Sequence, residues 1–150
     1  TSLDSCDFIL CTGLFDEQDE DLNYYKDLLK SFTSKKLICT NPDLIVHRGN
    51  NEELCAGSVA KTFESLGGEV IYYGKPYKEI YEMCFELNEK VLAIGDNLRT
   101  DIKGANDLNI DSLFIYNGVH RNEIKNDKGL PALLKRYNVK TKYFQKELKW

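Results

Sequence analysis

Val91-Leu92-Ala93-Ile94-Gly95-Asp96-Asn97-Leu98-Arg99-Thr100-Asp101-Ile102-Lys103-Gly104-Ala105 is the stretch on which the reading of this chain turns. The apolar run Val91 to Ile94 stops at Gly95 and releases Asp96 at its C-terminal end. Five residues on, Thr100 and Asp101 open an amphipathic segment. That order predicts a strand, a tight loop and a helix, with two carboxylates in the loop. Ligands of α/β proteins collect outside the carboxyl ends of the strands, and a carboxylate pair there suits a hard, oxygen-seeking cation such as Mg2+. The same residues also fit a plain turn: Asp96 opens it, and Asp101 offsets the unpaired N–H groups of a first helical turn.

Outward from that stretch, strands and helices alternate. Upstream, Asp7 to Thr12, Lys36 to Thr40 and Glu69 to Tyr73 read as short apolar strands. Between them run two helical stripes, one on Leu22, Tyr25, Leu28, Leu29 and Phe32, the other on Val59, Phe63 and Leu66. The first follows an acidic run, Asp16 to Asp21; the second is opened by Gly57-Ser58 and stopped by Gly67-Gly68. Asn41-Pro42-Asp43 leaves the second strand as a shaped loop, because proline fixes its own backbone and restricts Asn41. His47 is placed in the polar continuation of that loop, facing solvent. After Gly74-Lys75-Pro76, a helix on Tyr77, Ile80, Tyr81, Cys84 and Phe85 leads into the central strand. Beyond it, Ile102, Ala105 and Leu108 mark a helix, Asp111 to Tyr116 a strand, Leu130, Leu133, Leu134 and Tyr137 a helix, and Lys140 to Trp150 an edge strand. This order predicts an α/β fold with a mostly parallel, helix-covered sheet.

The composition agrees with a globular chain, with 42% of residues hydrophobic and 29% charged. A formal charge of −4 gives no electrostatic reason to expect nucleic acid or an anionic membrane as partner. The five cysteines form no metal-binding spacing, and their odd number argues against a full disulfide framework. They read as small buried hydrophobes in a reducing, cytoplasmic setting. No stretch reaches the roughly 20 apolar residues of a membrane span. Neither a P-loop nor a Gly-x-Gly-x-x-Gly fingerprint is present.

Lys75 sits in a turn between a predicted strand and helix, so it and the two carboxylates can share one site at strand tips. Together, Gly74-Lys75-Pro76 and Gly95-Asp96-Asn97-Leu98-Arg99-Thr100-Asp101-Ile102 resemble the haloacid dehalogenase-like phosphatases. The resemblance is to the class with the larger α/β cap, which includes nucleotide-monophosphate and p-nitrophenyl-phosphate phosphatases. Cys39-Thr40-Asn41-Pro42-Asp43 resembles an Asn-Pro-Asp element of that cap.

The resemblance implies a Rossmann-like parallel sheet forming a partial core, with residues 1–73 as an α/β cap and 74–150 as the C-terminal half of the core. It makes Lys75 the lysine that neutralises the nucleophile and the transferring phosphoryl group. Asp96 becomes a direct Mg2+ ligand, and Asp101 supports the metal or its waters. Asn97 shapes the site, and Asn41, Pro42 and Asp43 face substrate from the cap. The implied chemistry is hydrolysis of a small phosphorylated molecule through an aspartyl-phosphate.

The chain departs from that family at its start. The family's first strand ends in Asp-x-Asp, whereas Phe8 to Cys11 ends in Thr12-Gly13; Asp19-Glu20-Asp21 enters a helix instead. The phosphate-binding Ser/Thr motif is missing too. The expectation is therefore an inactive portion of a Mg2+-dependent phosphatase, completed by an upstream half or accompanied by a second copy. The competing reading is a non-enzymatic α/β binding module that retains a phosphatase-like half-site.

Overall fold

The computed structural model describes residues 2–18, 20–86, 88–124 and 126–149. Two compact units divide the chain, Thr1–Gly74 and Lys75–Trp150. Asp19, part of the acidic run, lies outside the described residues, as do the first and last residues of the chain.

In the first unit, strands β1 (Phe8–Cys11), β2 (Lys36–Cys39) and β5 (Glu69–Tyr72) form a parallel sheet in the order β1-β2-β5. The register pairs Cys11 with Cys39 and Cys39 with Tyr72. Helices α1 (Leu22–Leu29) and α2 (Ala56–Ser65) supply the other side of the core, where Tyr25, Leu29, Leu37, Cys39, Val59, Ala60 and Phe63 are buried. Each large side chain so buried contributes about 1.5–3 kcal/mol. The acidic run has a definite local role: the Asp21 carboxylate accepts the Asn23 and Tyr24 amides at 2.9 and 3.2 Å and caps α1.

Between β2 and α2 the chain makes a hairpin absent from the sequence reading, β3 (Ile45–Arg48) against β4 (Asn51–Leu54), antiparallel. His47 is therefore a strand residue, not a solvent-facing loop residue. Its side chain is only 10% exposed and lies 3.7 Å from Glu52 across the hairpin.

In the second unit, β6 (Leu92–Gly95), β7 (Asp111–Ile115) and β8 (Tyr143–Gln145) form a second parallel sheet, ordered β6-β7-β8. A helical segment, Leu98–Ile102 continuing as α4 (Lys103–Asp107), follows β6, and α5 (Leu130–Tyr137) precedes β8. Leu98, Ile102, Phe114, Ile124, Leu130, Leu133 and Val139 form the core. Helix α3 (Lys78–Glu82) is shorter than its apolar stripe predicts and buries no residue. Cys84 falls in the turn beyond it and is exposed; Cys6 and Cys55 are half-buried, so only Cys11 and Cys39 are the buried hydrophobes expected of all five. No described helix is long and apolar enough to cross a membrane.

Candidate functional site

At the tip of β6 the chain turns abruptly, and Asp101 is the reason it can. The Asn97 side chain caps the helix by accepting the Arg99 amide at 3.0 Å. The first turn is wide, with the Ile102 amide reaching the Asn97 carbonyl at 3.2 Å. This brings the Asp101 carboxylate back over the loop. There, Oδ2 accepts the Asp96 and Asn97 amides at 3.1 and 3.0 Å, in the manner of a reciprocal capping box. Its Oδ1 pairs with the Lys75 ammonium. Asp101 is 7% exposed and Lys75 about half-exposed, so a buried carboxylate is satisfied by two amides and one cation. Gly95 makes the arrangement feasible, because a Cβ there would overlap the Asp101 side chain.

Asp96 points elsewhere. Its Oδ2 accepts the Val119 amide at 2.9 Å, in the segment after β7, and Gly118 leaves it room because a Cβ would overlap that carboxylate. The next residue, His120, is fully buried. Its Nε2 accepts the Leu98 amide at 3.1 Å, and Nδ1 lies 2.6 Å from Glu123 Oε1. Nε2 must be unprotonated to accept, which places the ring proton on Nδ1 and directs it to the carboxylate. Burial pushes the His120 pKa down, the Glu123 partnership opposing it. Burial alone would raise Glu123, but hydrogen bonds from His120, Tyr137 and Arg136 bring its carboxyl below the ordinary value.

The structure thus gathers four of the residues singled out from sequence, Lys75, Asp96, Asn97 and Asp101, around one loop of the second unit. Asn41, Pro42 and Asp43 belong to the first unit. There Asn41 Oδ1 accepts the Asp43 amide at 3.2 Å, and the Asp43 carbonyl accepts the Gly57 amide at 3.2 Å, so the loop braces the start of α2. A cavity of about 230 Å³ has Lys75 and Asp101 in its wall beside Tyr81, Phe85, Val91 and Ile94.

Among the described residues, no three His, Cys, Asp or Glu side chains form a metal-binding group. Asp96 offers a hard carboxylate at a strand tip, while Asp101 is already engaged by three donors. That donor set fits Mg2+ held by few protein oxygens and completed by waters and a phosphate.

The second unit is thus a parallel α/β unit with Asp96 at the tip of β6 and Asp101 paired to Lys75 beside it, and the comparisons find this fold among hydrolases. Residues 72–139 match the HAD-hydrolase-like family. Among solved structures, a haloacid dehalogenase-like hydrolase from Brucella suis 1330 is 30% identical, with a TM-score of 0.80 over 99% of this chain and 58% of its own. A p-nitrophenyl phosphatase from Archaeoglobus fulgidus shares the fold at 16% identity and TM-score 0.68, covering 97% of this chain and 55% of its own. A 4-nitrophenylphosphatase from Thermotoga maritima does so at 24% and 0.63, covering 98% and 54%. Residues 72–139 thus carry the match to the HAD-hydrolase-like family model, and over its length the chain has the fold of these hydrolases. It spans little more than half the length of these solved relatives. No curated protein matches the sequence.

Val119, His120 and Glu123 were not legible as site residues. The available signal was Asn117-Gly118 directly after the Asp111–Tyr116 strand: the rule that drew attention to the tip of β6 applies equally to the tip of β7.

Proposed function

We propose that this chain carries the lysine and late-acidic side of a Mg2+-dependent phosphatase site acting on a small phosphomonoester. The observation that carries the reading is the Asp101 hub, which ties Lys75 to the Asp96–Asn97 loop. Lys75 lends positive charge to a phosphoryl oxygen. Asp96 ligates the cation, and Asp101 organises both without being consumed as a ligand. When bound, Mg2+ would neutralise charge developing on the transferring phosphoryl group. In the first unit, read as the cap, Asn41, Pro42 and Asp43 face substrate. The attacking aspartate comes from a segment outside these 150 residues, whose first strand ends in Thr12-Gly13.

Steady-state hydrolysis of p-nitrophenyl phosphate with and without Mg2+ tests this. The 150-residue chain is expected to be no faster than its Asp96→Ala variant. A longer product of the same coding sequence, carrying an Asp-x-Asp strand, is expected to turn over with Mg2+ and to lose about 10²-fold or more with Lys75→Ala or Asp96→Ala, as for other lost transition-state contacts. Asp96-dependent turnover by the 150 residues alone would overturn the incomplete-site reading. A longer protein inert toward phosphomonoesters would favour the binding module.

A further inference from the structure

Two segments meet at the proposed metal side, and each contributes one donor and one acceptor to a crossed pair of bonds. Val119 donates its amide to the Asp96 carboxylate at 2.9 Å, while Leu98 donates its amide to His120 Nε2 at 3.1 Å. Residues 96–98 and 119–120 are therefore stitched together in both directions. An imidazole suits the second stitch because it is fully buried and its other nitrogen is anchored 2.6 Å from Glu123. Glu123 is itself held by the Tyr137 hydroxyl at 2.9 and 3.0 Å and by Arg136 at 3.0 Å. The Tyr137 ring packs edge-on against His120, with centroids 4.7 Å apart, and the Arg99 guanidinium lies 4.9 Å from the centroid of the same Tyr137 ring. The anchor thus runs from α5, through Glu123, to the first helical residue after the Asp96 loop.

We infer that His120 is a positioning residue: by accepting the Leu98 amide while Glu123 fixes its ring, it holds the Asp96 carboxylate at the angle from which it meets its cation. This deepens the reading of Asp96 as the metal-side carboxylate and rests on it. Partners that orient a metal ligand without touching the metal typically matter 10–100-fold in affinity. In sequence the anchor is His120-x-x-Glu123, an i,i+3 pair that needs no metal to explain its own geometry.

Two amide substitutions separate the ring's two contacts, His120→Gln staying close to histidine in volume and His120→Asn being one methylene shorter, with core protection read alongside to report the packing loss. In His120→Gln the side-chain oxygen reaches where Nε2 stood and can still accept from Leu98. In His120→Asn the shorter amide reaches only where Nδ1 stood, so the Glu123 contact is kept and the Leu98 contact is lost. Amide hydrogen exchange of the 150-residue chain, with Mg2+ titrated in by 15N NMR, reads both. Expected for His120→Asn are faster exchange at Leu98 and also at Val119, and Mg2+ binding weaker by about 10-fold; His120→Gln should retain both properties within about threefold.

Equal losses in the two variants would reduce His120 to core packing, and unchanged Val119 exchange in His120→Asn would remove the link to Asp96; either overturns the inference. Amide protection at Phe114 and Leu133 reports whether each variant is folded. Should the unsubstituted chain show no Mg2+ response altered by Asp96→Ala, the metal reading falls by itself. Val119 exchange then decides whether His120 holds Asp96.

Discussion

Gly95 and Asp101 act as a matched pair: the carboxylate occupies the space a Cβ would take, and through it the loop amides and Lys75 find one acceptor. Gly95→Ala must push Asp101 off its amides, and overpacking of this kind costs about 1–3 kcal/mol. Gly13, which has nothing within 4 Å of a notional Cβ, is the control. We expect a lowered urea midpoint for Gly95→Ala and almost none for Gly13→Ala; equal midpoints would disprove the steric pairing. His120 and Glu123 give a pH signature. The folded pKa of His120 lies below its ordinary 6.5, so the unfolded chain binds the extra proton and stability falls as pH drops below 6.5 toward the folded value. Glu123, also lowered, contributes stability above its ordinary 4.5 that is lost as pH falls through its folded value. Urea midpoints should therefore decline on acidification from about pH 7.5 to 5.5, and His120→Gln should flatten that decline. Parallel slopes in the two proteins would exclude His120 as the source.

At the scale of elements, what was legible followed the strength of the pattern. Leu37 and Cys39 in β2, or Ser112 and Phe114 in β7, lie in short apolar runs bounded by turn residues, and both became central parallel strands. The strand, loop and helix read from Val91 to Ala105 are present, although the helix begins at Leu98 because Asn97 caps it. The β3–β4 hairpin escaped because Ile45-Val46-His47-Arg48 is only half apolar and Asn51-Glu52-Glu53-Leu54 has a single apolar residue; its signal was Gly49-Asn50, a two-residue turn with Gly49 at φ 62°. The stripe on Tyr77, Ile80 and Tyr81 misled in the other direction, since Tyr77 and Ile80 are 40% and 37% exposed. Of the candidate site, Lys75, Asp96 and Asp101 were readable as candidates because charge near predicted strand tips is conspicuous. His120 was not, because one histidine in a loop carries no period. The same placement predicts thiol chemistry. Burial pushes Cys11 up to about 11 and raises Cys39 as well, whereas Cys84 is exposed. Iodoacetamide at about pH 8 should label Cys84 in the native chain and reach Cys11 and Cys39 only in denaturant. Native labelling of Cys39 as fast as Cys84 would contradict the sheet packing.

For the molecule as a whole, the sheets leave unfinished business. Strand β6 pairs with β7 on one side and, among the described residues, with no strand on the other. Leu92 and Ile94 on it are 45% and 44% exposed. In the first unit β1 has, among the described residues, a partner strand on one side only, and its Phe8 and Leu10 are 51% and 57% exposed. An apolar strand edge with free N–H and C=O groups is a template for another chain, and neither β1 nor β6 carries a lysine or proline to block it. The edge bearing the candidate site is therefore the place where more protein should attach, whether a second copy or a longer stretch of the same protein. The 150-residue chain is accordingly expected to self-associate with rising concentration in sedimentation velocity. Charging β6 through Ile94→Lys should shift it toward monomer, and Leu10→Lys should do the same from β1. The two variants together should show which edge leads: a larger shift from Ile94→Lys assigns association to the sheet that presents Asp96, where a neighbouring strand could bring a nucleophile to the half-site. A chain that sediments as one monomeric species at all concentrations, unaffected by either lysine, would mean that these exposed strands are tolerated as they stand, and the case for a completing strand beside β6 would lose its physical basis.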